Sequence, residues 1–342
     1  MAEAKTHVLL PVSGGPEAND NLSPAMYVYV FPGQGSQRPG MGRPWRDTPW
    51  WPLVDALGEV TRRDIGRLLL EAEADELKVT GNAQLATFTL SLVILEGVRA
   101  SRGTETGPAA VAGHSLGEYT ALVAAGVLAA AAGAGLVAAR GAAMDGAAAT
   151  SPGTMAAVLG LDLEAVAEVC AGVDGAWVAN DNAPGQVVIA GSAAGVEHAG
   201  ARARQLGAKR IMALAVGGAF HTPLMRPAQG ALDAALAEAT FRDGSVPAVA
   251  NVDAALHTAA DEWRALLSAQ LTAPVRWRQS LTRLSQLGAT TFVELGPGTE
   301  LSGMVKRTVE GATRANVAVP DDLADLAGLA PVHPVHPVPP VP

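Results

Sequence analysis

Residues Ala109-Ala110-Val111-Ala112-Gly113-His114-Ser115-Leu116-Gly117-Glu118 carry the reading that decides the fold. Ala109–Ala112 is a short apolar strand. It runs into a G-x-S-x-G spacing, and an apolar helical run follows from Glu118. A serine on a sharp strand-to-helix turn presents its hydroxyl outward. Glycines on both sides remove the Cβ atoms that would block the turn, and the helix start aims free N–H groups at the same spot. The bare spacing fits either a nucleophile elbow or a plain tight turn. The strand before it and the helix after it favour a nucleophilic Ser115.

Working outward, Tyr27–Phe31 (YVYVF) is a second apolar, β-prone run, ending at Pro32-Gly33-Gln34-Gly35-Ser36-Gln37. Glycines in that loop let backbone approach a ligand. A helix is expected around Ala83–Ser101. Strands alternating with helices indicate a parallel α/β sheet. From Thr154 the pattern changes. Met155–Leu159 reads as a strand, Leu163–Ala171 as a helix, Trp177–Asn180 and Gln186–Ala190 as strands, Ala193–Leu206 as a helix and Arg210–Ala215 as a strand. That order, βαββαβ, is the ferredoxin-like plan. The α/β alternation then resumes with Pro223–Ala239 and Ala260–Leu271 helical and Ala248–Val252 and Thr290–Leu295 as strands. Gly296-Pro297-Gly298 precedes a last helix. The expected organisation is a flexible leader over 1–25, a large discontinuous α/β domain over 26–150 and 217–312, a ferredoxin-like insert over 151–216, and a tail over 313–342 that is Pro-rich from 331. A cleft between two such units is a favoured ligand site.

The chain has 342 residues, 49% of them hydrophobic and 17% charged, enough to bury a sizeable core. Its net charge of −9 argues against nucleic acid or an anionic membrane as partner, because both need a cationic footprint. The single cysteine, Cys170, excludes a disulfide framework and reads as a buried thiol. Ala121–Ala139 lacks charge but is mostly Ala and Gly, so two buried helical pieces around a turn are expected rather than a membrane span. The first 25 residues lack the basic start and apolar run of a secretory signal.

A serine nucleophile needs a base. Of seven histidines, His7, His333 and His336 lie in the leader and tail. His198 and His257 sit in polar surroundings and read as surface residues. His114 adjoins Ser115, but neighbours on a turn point in different directions. His221 follows a strand and precedes a helix, the usual place for a catalytic residue in α/β folds. On spacing alone it also fits an ordinary helix-start histidine. Arg140 is the first charge after the uncharged run, so it emerges from buried structure. It reads either as a carboxylate clamp or as a surface or salt-bridged arginine.

The blocks Phe31–Gln37, Gly113–Glu118, Arg140, Asn180–Gln186 (NDNAPGQ), Ala219-Phe220-His221, Gln270 with Pro274–Trp277, and Glu294–Gly298 occur in one order along residues 26–310. In them the chain resembles the malonyl-CoA:acyl-carrier-protein transacylase family, including polyketide synthase acyltransferases. The resemblance implies a hydrolase-like parallel-sheet large domain. It implies that Ser115 attacks a thioester, that His221 relays the proton, that the backbone carbonyl of Gln270 orients His221, and that the N–H groups of Gln34 and Leu116 hold the oxyanion. It implies Arg140 as clamp for a malonyl carboxylate and Phe220 as a ring leaving little room for a 2-methyl branch. Asn180 and Asn182 either bind the acyl or pantetheine part or shape a turn, and His114 joins the substrate-binding set.

The reaction implied is ping-pong transfer of a malonyl or similar carboxyacyl group from CoA, through an acyl-serine ester, to the phosphopantetheine thiol of an acyl carrier protein. No metal or redox cofactor is expected. The setting is fatty-acid or polyketide synthesis in the cytoplasm, by a monomer. An acidic carrier would dock on a local basic patch. Candidates are Arg202, Arg204, Lys209, Arg210, Lys306 and Arg307, each also readable as a solvated face. The alternatives are a serine acyl hydrolase that edits carriers, and transfer of a larger acyl unit between carriers.

Overall fold

The structure, a computed structural model, describes residues 26–102 and 107–328; the leader over 1–25 and the Pro-rich stretch from 331 lie outside the described residues. Strand β1 (Met26–Phe31) leads through three short helices, α1 (Pro52–Thr61), α2 (Ile65–Leu70) and α3 (Ala74–Leu77), to the long α4 (Thr80–Arg102). Next come β2 (Val111–Gly113), α5 (Gly117–Ala124) and α6 (Ala130–Thr150). The insert follows as β3 (Thr154–Leu159), α7 (Leu163–Ala171), β4 (Ala176–Ala183), β5 (Gln186–Gly191), α8 (Ala193–Gln205) and β6 (Arg210–Ala213). The chain returns through α9 (Arg226–Glu238), the strands β7 (Ala248–Val249) and β8 (Leu256–His257), α10 (Trp263–Gln270), α11 (Trp277–Gln286), β9 (Ala289–Leu295), α12 (Glu300–Thr308) and β10 (Thr313–Val317).

The large sheet has the order β10-β9-β1-β2-β7-β8, parallel throughout except for the β7–β8 pair. β1 sits inside it, and period-2 alternation explains its apolar sequence. Tyr27, Tyr29 and Phe31 enter the core shared with α4. Val28 and Val30 enter a second core with Trp277, Leu281 and Val305 of α11 and α12. A strand covered on both faces reads as a continuous hydrophobic run. Among the described residues α4 is the one helix long and apolar enough to cross a membrane, and 83% of its apolar window is buried inside the protein. It is the core helix. The uncharged run does form two helices, with the turn at Gly126, while Gly133 and Gly135 lie within α6.

The insert is the expected βαββαβ unit, with sheet order β4-β5-β3-β6 and antiparallel pairing. Ala156 and Val158 of β3 face α7 and α8, with Val166, Val169, Cys170 and Ile189. Met155 and Ala157 face the large domain. One strand thus seals two cores.

Three boundaries differ from the sequence reading. The expected tail is not a tail from 313: β10 extends the parallel sheet beside β9, from Thr313↔Thr291 to Val317↔Leu295. Its mixed polar sequence, TRANV, suits an edge strand with one exposed face. Strand β4 continues through Asn180–Ala183, so Asn180 and Asn182 belong to a strand and do not shape a turn. The strand persists because Val275 of the large domain pairs with it: Asp181 N–H donates to Val275 O and Val275 N–H to Ala179 O, each at 2.9 Å. Helix α11 was not foreseen.

Candidate active site

Phe31 lies opposite Gly113 in the β1–β2 register. The loop at 32–37 and the elbow therefore leave adjacent parallel strands side by side, at their carboxyl ends, where α/β sheets bind ligands. At the elbow Ser115 has φ 52°, a left-handed conformation uncommon for a residue with a side chain. A Cβ at Gly113 would strike the Gly117 backbone, and one at Gly117 would strike the carbonyl of Phe31. The glycines of the motif are therefore required by close backbone approach.

His221 also has a left-handed backbone, φ 61°. Its Nε2 lies 2.7 Å from Ser115 Oγ and its Nδ1 2.8 Å from the backbone oxygen of Gln270. A carbonyl can only accept, so Nδ1 carries the proton and Nε2 offers its lone pair to the serine hydroxyl. Burial first, and then the nearby Arg140 cation, push the His221 pKa down to about 3. His257, by contrast, is not a free surface residue: Asp253 and Glu262 bracket its ring, far along the chain from the elbow.

Arg140, on α6, is 1% exposed. One terminal nitrogen donates to Ser115 Oγ at 3.1 Å and Gln270 Oε1 at 2.9 Å, and the other donates to Gln84 Oε1 at 2.7 Å. Nε has no hydrogen-bond partner and the guanidinium has no ion pair among the described residues. Burial lowers its pKa, yet a guanidinium stays charged at neutral pH. A buried cation without an anion is costly unless a ligand supplies the charge.

A cleft of about 190 Å³ opens over these groups, between the two domains. Ser115, His221, Arg140, Gln34, Leu116, His114, Phe220, Asn180 and Asn182 all line it. The N–H groups of Gln34 and Leu116 have no protein partner among the described residues. His114 does point inward: Nε2 is 2.8 Å from Asn182 Oδ1, and its ring stands edge-on to Trp277. Burial lowers its pKa. Gln270 lies beneath the cleft surface, in the wall behind Ser115. An ion pair joins the two domains beside the cleft: Arg278 Nε donates to both oxygens of Asp181 at 2.9 Å.

Three site residues escaped the sequence reading. Gln84 holds Arg140 from α4, and nothing in its helical context marks it. Asn251 follows β7 at the same sheet edge, a position that was itself a signal. Its Oδ1 accepts the Ser115 N–H and its Nδ2 donates to Gly113 O, each at 2.7 Å. Glu118 was legible within the motif without a role. It is buried, its carboxyl is pushed up to about 8 by burial, and the N–H donors of Asn251 and Gln270 act in the opposite direction.

The chain belongs to the acyltransferase family: the model of the acyl transferase domain matches residues 28–325. It is 41% identical over 302 residues to the malonyl CoA-acyl carrier protein transacylase of Bacillus subtilis (strain 168), covering 86% of this chain and 94% of that protein. The enzyme of the same name from Escherichia coli (strain K12) is 39% identical over 309 residues, covering 87% and 97%. The crystal structure of an acyl-carrier-protein S-malonyltransferase from Burkholderia pseudomallei 1710b matches with a TM-score of 0.83 at 38% identity, covering 88% of this chain and 98% of that one. A malonyl-transacylase solved in complex with its type II polyketide synthase acyl-carrier protein matches with a TM-score of 0.84 at 35% identity, covering 88% and 98%.

Proposed function

We propose that the protein is a malonyl-CoA:acyl-carrier-protein transacylase. The observation that carries this reading is Arg140, a buried cation with no ion pair among the described residues, held 3.1 Å from the nucleophile. A substrate whose acyl group ends in a carboxylate completes it; an acetyl or plain fatty-acyl group does not.

Ser115 Oγ attacks the thioester carbonyl while its proton passes to His221 Nε2. The developing imidazolium is held at Nδ1 by the Gln270 carbonyl. The N–H groups of Gln34 and Leu116 receive the oxyanion; such donors contribute about 3 kcal/mol each in comparable sites. The intermediate collapses, and CoA leaves with the proton from His221. The carrier's phosphopantetheine thiol then gives its proton to His221 and attacks the malonyl-serine ester. Collapse of the second intermediate frees malonyl-carrier and returns the proton to Ser115. This sequence uses no metal or redox cofactor.

The carrier is best received where α12 meets the cleft. Leu301 and Met304 line the opening, and Lys306 and Arg307 of the same helix are exposed. Arg202, Arg204, Lys209 and Arg210 are exposed on the insert. A cytoplasmic monomer serving fatty-acid or polyketide synthesis fits this reading. Intact-protein mass spectrometry after mixing with a panel of acyl-CoAs tests it. A malonyl adduct that disappears in Ser115→Ala supports it; labelling by acetyl-CoA and not malonyl-CoA overturns it.

A further inference from the structure

Glu118 is buried behind the site and does not line the cleft. Each carboxylate oxygen receives a different donor. Oε1 accepts the backbone N–H of Asn251 at 3.1 Å, and Oε2 accepts the side-chain amide of Gln270. That second contact, together with the Ser115 carbonyl, sets which way the Gln270 amide faces. Its nitrogen meets two acceptors, Glu118 Oε2 and the Ser115 carbonyl, the latter at 2.8 Å. Its oxygen is therefore left toward Arg140, whose guanidinium donates to it at 2.9 Å. A flipped amide would set oxygen against oxygen on one side and NH₂ against a guanidinium on the other.

Glu118 makes no ion pair with Arg140, because the Gln270 amide stands between them. A carboxylate placed directly on the guanidinium would occupy the donors that an incoming carboxylate needs. An amide oxygen holds the guanidinium in place and leaves its charge free for a ligand.

We propose that Glu118 is a positioning residue for the substrate clamp: it fixes the orientation of the Gln270 amide, and through that amide aims Arg140 at the acyl pocket beside Ser115. The inference rests on the malonyl-transfer reading. It assigns to the acid of the elbow motif a role in choosing the acyl group, distinct from any role in activating the serine.

The test compares wild type with Glu118→Gln, in which an amide nitrogen must face one of the two N–H donors. Three rates are measured: acylation of Ser115 by malonyl-CoA, acylation by acetyl-CoA, and sulfonylation by phenylmethylsulfonyl fluoride, a neutral reagent that needs no clamp. The expected result is a fall of about tenfold in kcat/KM for malonyl-CoA, arising mainly in KM, with sulfonylation within about threefold of wild type. The malonyl-to-acetyl preference falls with it. A preference that stays at the wild-type value overturns the proposal, as does an equal loss in all three rates. Should Glu118→Gln fail to fold, Glu118→Asp withdraws the carboxylate by one methylene and carries the same comparison. A reduced preference supports the proposal, and an unchanged one overturns it. Wild type that does not load malonyl overturns the function and this inference together; a selective wild type with an equally selective Glu118→Gln overturns the inference alone.

Discussion

Ser115 and His221, 106 residues apart in the chain, meet through a 2.7 Å hydrogen bond with both backbones in the left-handed region, at φ 52° and 61°. Such a conformation costs about 1–3 kcal/mol per residue and persists only where surrounding structure enforces it. Asn251 enforces it at Ser115, by accepting its N–H while donating to Gly113 O. At His221 the ring is tied to the end of α10 through Gln270 O.

His221 is held neutral by burial and by Arg140, with a pKa pushed down to about 3. In the proposed mechanism the neutral form is the base, so acid should not switch the enzyme off in the usual histidine range. An ordinary imidazole would lose about tenfold of its base form by pH 5.5. Between pH 8 and pH 5.5 the rate of Ser115 acylation by malonyl-CoA should instead show no fall centred near pH 6.5; a change nearer pH 8 reports the Glu118 carboxyl, which burial pushes up to about 8. Stopped-flow acylation across that window decides the matter, and a titration centred near pH 6.5 would contradict it. The same shift affects stability. The unfolded chain takes up this proton below about 6.5 and the folded chain does not, so the contribution of His221 declines as pH falls through that range.

Replacing Arg140 with Ala should lower kcat/KM for malonyl-CoA by about 10–100-fold, the loss expected for a charge-assisted pair. Acetyl-CoA should be affected much less. Competition between the two thioesters, read by mass spectrometry, measures the change. Retained malonyl preference would show that another group binds the carboxylate.

Phe220 lines the cleft immediately before His221. Phe220→Ala should relax discrimination against methylmalonyl-CoA by about 10–100-fold, since pocket steric effects of this size amount to ~1–3 kcal/mol. Relative loading from an equimolar pair of malonyl- and methylmalonyl-CoA reports it. An unaltered ratio would place the selecting surface elsewhere.

Asn251→Ala strands two buried backbone groups, Ser115 N–H and Gly113 O. Each unsatisfied group costs about 1–3 kcal/mol, so thermal melting should shift down by several degrees. Asn251→Asp keeps the acceptor for Ser115 but sets a carboxylate oxygen against Gly113 O in a buried site, and should also melt below wild type. Equal melting temperatures for all three proteins would remove Asn251 from the support of the elbow.

The elbow was legible in the sequence because its steric requirement is local: Gly113 and Gly117 must lack Cβ atoms whatever the rest of the chain does. The insert was legible because its alternation switches from period 2 to helical spacing and back. β10 was not, since an edge strand with an exposed face, TRANV, carries little apolar signal. Asn180 and Asn182 read either as ligand-binding residues or as turn formers, and the expected strand stopped at Asn180 because Asn does not favour strands. Pairing of β4 with Val275, almost a hundred positions on, overrode that preference.

Taken alone, the amino-acid order determined the layered α/β architecture and the glycine-flanked turn that carries Ser115, both of which follow from periodicity and backbone sterics within short windows; it left Arg140 open between a buried clamp and a surface residue. Only tertiary packing decided that Gln270 would reach Ser115, His221 and Arg140 at once, and that Glu118 and Asn251 would stand behind them. Those contacts join sheet edges, α6 and α10 across 49 to 155 residues of chain, and no local pattern encodes a distance set by the packing of whole elements.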